Sequence, residues 1–236
     1  MKQETERVFS WYANLYNLTE EKRMTLNQIR MFITSDSLKL ITKRIRQLSY
    51  EKRHKEAKSM KMQLPAFAVS ALFPLERKTE QAGEHTGYIL VDVDGMKTPV
   101  ADYLEKCKAF PWLALAYISA RGGGVHLIFR VQTDSKQQEE TCQMLYDIVE
   151  TTLGEAVDRV CTDITRTSLV CWDPDAYYNP DAAAFVMETR KQPVTPAGTC
   201  PPTSMPTEAE RLDLYLDRAD MTNTWQKVRH FRQLRQ

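Results

Sequence analysis

Residues 88–95 read Y-I-L-V-D-V-D-G, and this stretch decides how the chain is interpreted. Its apolar, partly β-branched run predicts a buried strand, and the Asp-Gly pair is typical of the turn that ends one. Because side chains alternate along a strand, Asp92 and Asp94 are expected on one face. Two neighbouring carboxylates repel each other unless a cation compensates them, and Mg²⁺ or Mn²⁺ is the usual candidate. A plain hydrophilic turn is the alternative for this stretch alone.

Composition bounds the classes of protein to consider. The chain has 236 residues, enough for one substantial domain with an appendage, and a formal net charge of +1, so nucleic-acid binding would depend on local patches. The five cysteines include no C-x-x-C pair, which argues against a zinc site or a disulfide framework and favours a reducing compartment. No signal peptide and no run near the ~20 apolar residues of a membrane span is present. A cytoplasmic protein without membrane contact is expected.

Hydrophobic periodicity divides the chain into four parts. Residues 1–75 are predicted to be a helical, basic subregion that packs on a core of residues 76–190. Residues 191–206 are a proline-rich linker by composition. Residues 207–236 are predicted to be a helical segment that resembles the beginning of another module.

The N-terminal helices carry a run of basic residues. Clustered lysine and arginine displace counterions from nucleic acid, so this face is a candidate for contacts with the phosphate backbone, although a solvated helix face explains it equally well. The candidate nucleic-acid-binding residues are Lys43, Arg44, Arg46, Lys52, Arg53 and Lys55, and the run continues through Lys58 and Lys61.

From residue 88 onwards the pattern predicts strand, helix, strand, glycine turn, strand, helix and strand. The predicted strands are 88–94, 112–119, 125–131 and 168–172; a helix starts at Thr98-Pro99 and another runs from a Ser135 cap to Gly154. This order is the β-α-β-β-α-β unit of ferredoxin-like and RRM-like folds. The predicted fold class is therefore α+β, with the first and third strands antiparallel at the centre and the fourth beside the first.

This topology would bring polar residues from distant positions to one edge of the sheet. His126 begins the third strand on the face of the aspartates, and Asp163 precedes the fourth strand. Arg121 and Arg166 are expected at the same edge, where arginine suits bidentate contacts with phosphate. Backbone N–H groups of Gly122–Gly124 would allow an anion to approach, although a simple hairpin turn explains these glycines as well.

These residues resemble the archaeo-eukaryotic primase superfamily, the primase-polymerases. Asp92-Val93-Asp94 is similar to its first motif, D-x-D. Gly124-Val125-His126 resembles the second, S-x-H, with glycine in place of serine and Ser119 as a substitute upstream. The stretch T-D-I-T-R at 162–166 is similar to the third. The region from K-M-Q-L-P at 61–65 through 95 also resembles the VirE N-terminal-type domain of mobile-element replication proteins.

The resemblance implies a nucleotidyltransferase that makes or extends primers on single-stranded DNA during replication of a mobile element or plasmid. Asp92, Asp94 and Asp163 would hold Mg²⁺ or Mn²⁺. Ser119, Arg121, Gly123, Gly124, His126 and Arg166 would bind the incoming ribo- or deoxyribonucleoside triphosphate. A replicative helicase, as a domain or a separate protein, is an expected partner.

Two other functions fit parts of the pattern. A haloacid-dehalogenase-like phosphatase also begins with a strand ending in D-x-D-G, but Met96 replaces the usual threonine and the glycine hairpin predicts antiparallel strands where that fold needs parallel crossovers. A non-catalytic nucleic-acid-binding domain of a replication or mobilisation protein explains the basic helices. The paired aspartates favour catalysis, because acids that face a phosphodiester without a metal weaken binding.

Overall fold

The computed structural model describes residues 7–20, 22–160 and 162–187. The predicted linker 191–206 and the predicted helical segment 207–236 lie outside these residues. The described residues form a mixed α+β fold with two sheets and five α-helices, which confirms the predicted class.

The helices lie between groups of strands along the chain. The strands are β1 (Val8–Tyr12), β2 (Lys22–Thr25), β3 (Ala66–Ala68), β4 (Tyr88–Asp94), β5 (Leu113–Ile118), β6 (Gly124–Gln132), β7 (Thr167–Leu169), β8 (Tyr177–Tyr178) and β9 (Phe185–Val186). The α-helices are α1 (Leu26–Thr34), α2 (Lys39–Tyr50), α3 (His54–Lys61), α4 (Val100–Cys107) and α5 (Gln138–Leu153).

The first sheet corrects the prediction that residues 1–75 are a helical subregion, because three of its strands lie there. Strands β1 and β2 form an antiparallel pair, and the sheet continues in the order β2-β1-β3-β7. The stretch V-F-S-W-Y of β1 is rich in aromatic and β-branched residues, which pack well on a pleated surface. Four of its five residues are buried. The N-terminal region is thus part of the sheet structure and not only a helical extension.

The second sheet contains the D-x-D strand and has the order β4-β6-β5-β8, with β9 parallel to the end of β6. Strand β4 pairs antiparallel with β6, as predicted for the first and third strands. The prediction that the fourth strand flanks the first is wrong, because β7 pairs with β3 in the other sheet. The described partner of β4 is antiparallel, which gives no support to the parallel sheet of the phosphatase alternative.

The exchange of partners has a physical reason. All three residues of β3 are buried, so its backbone N–H and C=O groups need partners on both sides, and β1 and β7 supply them. Beside β4, the Asp158 N–H donates to the Asp92 carbonyl oxygen over 2.9 Å. Hydrophobic periodicity identifies a strand but does not encode which strand it pairs with.

The two sheets enclose a shared hydrophobic core. Phe9 of β1 contacts both Phe67 of β3 and Tyr88 of β4, with ring centroids 5.6 and 5.3 Å apart, respectively. Leu90 and Ile128 of the second sheet are buried in the same cluster. Helices α4 and α5 contact the second sheet, where Ile89, Val91 and Val93 are fully buried. The D-x-D strand is therefore covered on both faces over most of its length.

Helix α1 lies within the region that was predicted to be helical. The Thr25 side chain and Gln28 form a capping box at the start of α1, and Leu26, Ile29 and Ile33 are buried. Helix α5 ends at Gly154 in a left-handed conformation, as predicted, but begins at Gln138 and not at a Ser135 cap. The preceding Asp134 carboxylate accepts from the N–H groups of Lys136 and Gln137 and so holds Ser135 in a turn.

None of the helices within the described residues is long and apolar enough to cross a membrane.

We predict that Gly124→Ala destabilises the fold, because a Cβ at this position would lie 2.3 Å from the Val93 carbonyl oxygen. The β4–β6 pair would have to separate, at a cost of about 3 kcal/mol in the free energy of unfolding. Gly123→Ala is the matched control, since its Cβ would meet nothing within 4 Å. Urea unfolding measures both variants. Equal stability of the two would contradict the observed closeness of the strands.

Candidate active site

A row of three side chains crosses the second sheet. Asp92 of β4 lies opposite His126 of β6, and His126 lies opposite Tyr117 of β5. The His126 and Tyr117 rings stack, with centroids 5.1 Å apart. Leu90, two residues before Asp92, is buried in the core between the sheets, so the alternation of the strand places the row on that face.

Arg166, the residue before β7 of the first sheet, contacts Asp92 of this row. Its Nη2 lies 3.3 Å from the Asp92 Oδ2 and 3.3 Å from the Asp158 Oδ2. The side chain of Asp92 is only 13% exposed, so this ion pair is partly shielded from water. The other carboxylate oxygen of Asp92, Oδ1, is buried and has no hydrogen-bond partner among the described residues. One oxygen of Asp92 therefore has a partner and the other has none.

A cavity of about 510 Å³ lies over the row, and its charged lining is mainly positive. Among the described residues that line it, four are cationic: Lys58, Lys61, Arg121 and Arg166. Asp92 is the one acid among these lining residues, and His54 and His126 are also present. Because these cations attract negative charge at short range, the cavity favours an anionic ligand.

Helix α3 lines this cavity, which was not predicted from the sequence. His54, Lys58 and Lys61 recur at helical spacing and face the same space, so their periodicity was the available signal. Neither lysine has an ion-pair partner among the described residues. Burial lowers the pKa of Lys61, Arg121 lowers it further, and Asp94 and Asp92 oppose this effect. The helix thus supplies positive charge that no acid of the described chain neutralises by contact.

The predicted glycine turn is a tight hairpin between β5 and β6. The Ser119 N–H donates to the Gly124 carbonyl oxygen over 2.8 Å, and the Gly122 N–H donates to the Ser119 carbonyl over 2.9 Å. Gly123 accepts a long hydrogen bond from the N–H of Met96. The turn holds Arg121, whose Nη2 lies 3.7 Å from the Asp94 Oδ2 with both side chains half exposed. A serine at position 124 would clash with β4, which explains the glycine in the S-x-H-like stretch.

Asp163 is not brought to the cavity. It is exposed, and its carboxylate accepts hydrogen bonds from the N–H and the hydroxyl of Thr165 within its own turn. The third acid at the row is instead Asp158, which contacts Arg166 and pairs with the backbone of Asp92. No short motif marks Asp158, so only the course of the chain between α5 and β7 identifies it.

None of the six predicted nucleic-acid-binding residues lines the cavity. Arg46 donates to the carbonyl oxygens of Ser119 and Trp172, and Arg53 forms ion pairs with both Glu51 and Glu56. The remaining four have varied surroundings: Arg44 donates to Gln47, Lys43 lies over the Trp172 ring, Lys52 is exposed in the turn after α2, and Lys55 is exposed.

His126 is hydrogen-bonded to Ser168 of the first sheet. Its Nδ1 lies 2.8 Å from the Ser168 Oγ of β7, and the Tyr117 hydroxyl lies 2.5 Å from the same oxygen. Burial lowers the pKa of His126, while the neighbouring Asp92 acts in the opposite direction. The imidazole is therefore favoured in its neutral form. Ser168 could not be assigned to this contact from sequence, because its strand was predicted beside β4, whereas β7 pairs with β3 in the first sheet.

The residues fit a divalent metal only in part. Among residues 7–20, 22–160 and 162–187, no group of three or more histidine, cysteine, aspartate or glutamate side chains could hold a metal ion. Mg²⁺, however, is often bound by one or two carboxylates together with substrate phosphates and water. The unpartnered Oδ1 of Asp92 and the exposed carboxylate of Asp94 fit that arrangement.

Comparison with known proteins identifies a domain family. The family model described as the BT4734-like N-terminal domain matches residues 59–178, just over half of the chain. The match includes Lys61, Arg121 and Arg166, together with the row on the second sheet. No curated protein and no solved structure matches the chain. The chain therefore belongs to the BT4734-like N-terminal domain family.

Proposed function

We propose that this domain is a primase-polymerase-type nucleotidyltransferase that makes or extends primers on single-stranded DNA with Mg²⁺ or Mn²⁺. The observation that supports the proposal most is the cavity that places Asp92, with one unpartnered carboxylate oxygen, among four cationic side chains. Carboxylates for a metal beside cations for phosphate are the groups that phosphoryl and nucleotidyl transfer require.

The cations suit a triphosphate. Lys61, Arg121 and Arg166 come from three separate segments and line one space, so a ligand with several phosphate groups can contact all three. Arginine adds directed, paired hydrogen bonds to phosphate, and lysine adds a compact charge. The volume of about 510 Å³ lies within the usual range of small-molecule sites, about 300–1,000 Å³.

Asp92 and Asp94 would hold the metal, which would polarise the phosphoryl oxygens when bound. Arg166 has two functions in this arrangement. It neutralises Asp92 and Asp158 in the free protein, and its guanidinium can turn to a phosphate that enters the cavity. The exchange would release a carboxylate oxygen of Asp92 as the phosphate arrives.

The template strand would lie along the basic N-terminal helices. Lys52 and Lys55 are exposed and Lys58 lies at the cavity, whereas Arg53 is already paired with two glutamates. A replicative helicase remains an expected partner by resemblance.

A non-catalytic nucleic-acid-binding domain is the second candidate. It is favoured by the ion pair between Arg166 and Asp92, which neutralises the acid that would otherwise repel a phosphate. In this function the cavity would bind a phosphate without chemistry.

We predict that Asp92→Asn reduces Mn²⁺-dependent primer extension on single-stranded DNA by about 100-fold or more, a loss typical of removing one group that stabilises a transition state. Incorporation of labelled nucleotide, with ribo- and deoxyribonucleotides in parallel, measures it. Asp163→Asn is the comparison, and we expect near-normal activity because Asp163 lies away from the cavity.

Three outcomes separate the candidates. Wild-type activity in Asp92→Asn would remove this residue from the reaction. A loss in Asp163→Asn equal to that in Asp92→Asn would favour the metal set implied by resemblance. No incorporation by the wild type, together with unchanged DNA affinity in Asp92→Ala, would favour the binding domain.

We predict that Lys61→Met weakens binding of inorganic triphosphate about tenfold, because a hydrogen bond to a charged group contributes about 1.5 kcal/mol. Lys55→Met is the matched control on the same helix, since Lys55 is exposed and is not among the lining residues. Calorimetric titration at low salt measures both affinities. The same affinity in both variants would place the triphosphate elsewhere.

A further inference from the structure

A buried chain of hydrogen bonds runs behind His126. The Tyr117 hydroxyl lies 3.0 Å from the Leu169 carbonyl oxygen and 2.5 Å from the Ser168 Oγ, and Ser168 lies 2.8 Å from the Nδ1 of His126. Tyr117 and Ser168 are fully buried, so water does not compete for these contacts. The chain links β5 and β6 of one sheet to β7 of the other.

The number of protons fixes the direction of this chain. Each of the three contacts lies within hydrogen-bond distance, so we assign one proton to each contact. The Leu169 carbonyl has no proton, so the Tyr117 hydroxyl must donate to it. The Ser168 hydroxyl must then donate to the Tyr117 oxygen. The remaining proton, between Ser168 and His126, can come only from the Nδ1 of the imidazole.

We propose that Ser168 and Tyr117 are positioning residues that hold His126 as the neutral, Nδ1-protonated imidazole, so that its Nε2 is a hydrogen-bond acceptor in the cavity. Nε2 has no hydrogen-bond partner among the described residues, and Asp92 pairs with Arg166 and not with the imidazole. His126 is only 5% exposed and shares the cavity with Lys61 and Arg166, and both burial and neighbouring cations disfavour a charged imidazole.

An acceptor at this position selects a particular part of the ligand. Phosphate oxygens are themselves acceptors, so they suit the cations and not Nε2. A hydroxyl group, in contrast, can donate a hydrogen bond to Nε2. The cavity therefore fits a ligand that carries both phosphates and a free hydroxyl, such as the sugar of a nucleoside triphosphate. This ligand assignment rests on the proposed function, whereas the protonation of His126 does not.

His85 provides an internal comparison. Its Nδ1 accepts from the N–H of Gly87 over 2.9 Å, so that nitrogen carries no proton. Its Nε2 lies 2.8 Å from the Oε1 of Gln138 and must donate to it. His126 and His85 are thus expected in opposite tautomers within one protein.

The test is a long-range ¹H–¹⁵N spectrum of the ¹⁵N-labelled full chain at neutral pH, without metal or nucleotide. We expect the unprotonated nitrogen to be Nε2 in His126 and Nδ1 in His85, with His126 identified by its loss in His126→Asn. An Nε2-protonated His126 in the wild type would overturn the proposal.

Two variants test the positioning residues. In Tyr117→Phe the Ser168 hydroxyl loses its acceptor and can donate to Nδ1, so we expect the Nε2-protonated form of His126 to become detectable. Ser168→Ala, which removes the partner of Nδ1, is the second variant and should also give a mixture. Tyr103→Phe is the control, because the buried Tyr103 hydroxyl has no partner in the described residues. An unchanged His126 tautomer in folded Tyr117→Phe and Ser168→Ala would overturn the positioning role.

The ligand assignment has its own test. With Mg²⁺, ATP should bind more tightly than 2′,3′-dideoxy-ATP, and His126→Phe should abolish the difference. Equal affinity of the two nucleotides would overturn the hydroxyl assignment. If neither binds, the proposed function fails and the hydroxyl assignment fails with it, while the spectrum still decides the protonation of His126.

Discussion

The pairing of β4 with β6 is the constraint on which the candidate site depends. The strands approach so closely at Gly124 that only a hydrogen atom fits opposite the Val93 carbonyl. This contact fixes the register that sets Asp92 opposite His126, and a slip of one residue would turn either side chain to the other face. The glycine in the S-x-H-like stretch is thus a requirement of packing, and it leaves the position without a hydroxyl group.

Charge compensation is the second theme of the site. Arg166 is shared between Asp92 and Asp158, and Arg121 is near Asp94, whereas Lys58 and Lys61 have no acid in contact within the described part of the chain. The excess of positive charge lies on the helical side of the cavity and the acids lie on the sheet side. A ligand with negative phosphates and a bound cation would match both sides.

Much of the second sheet was predictable, since its strands and helices follow strong hydrophobic periodicity and Gly154 ends α5 as expected. Asp92, His126, Arg121 and Arg166 were also predictable, because they border those strands. Asp158 and Ser168 were not, because their positions follow from long-range pairing that periodicity does not encode. β1 was not predicted, because the helical region was extended through its short aromatic run. Asp163 was predicted at the site from a short motif, but its carboxylate is exposed and bonded within its own turn.

The pairing of β3 with β7 joins residues about one hundred positions apart, with Phe67 opposite Ser168. During synthesis β4 and β6 can associate well before β7 leaves the ribosome. The aspartate row would then exist without its guanidinium and without the serine behind the imidazole. In such nascent chains Asp92 would lack its ion-pair partner Arg166, and the cavity would acquire its final charge only when the last strand of the first sheet is added.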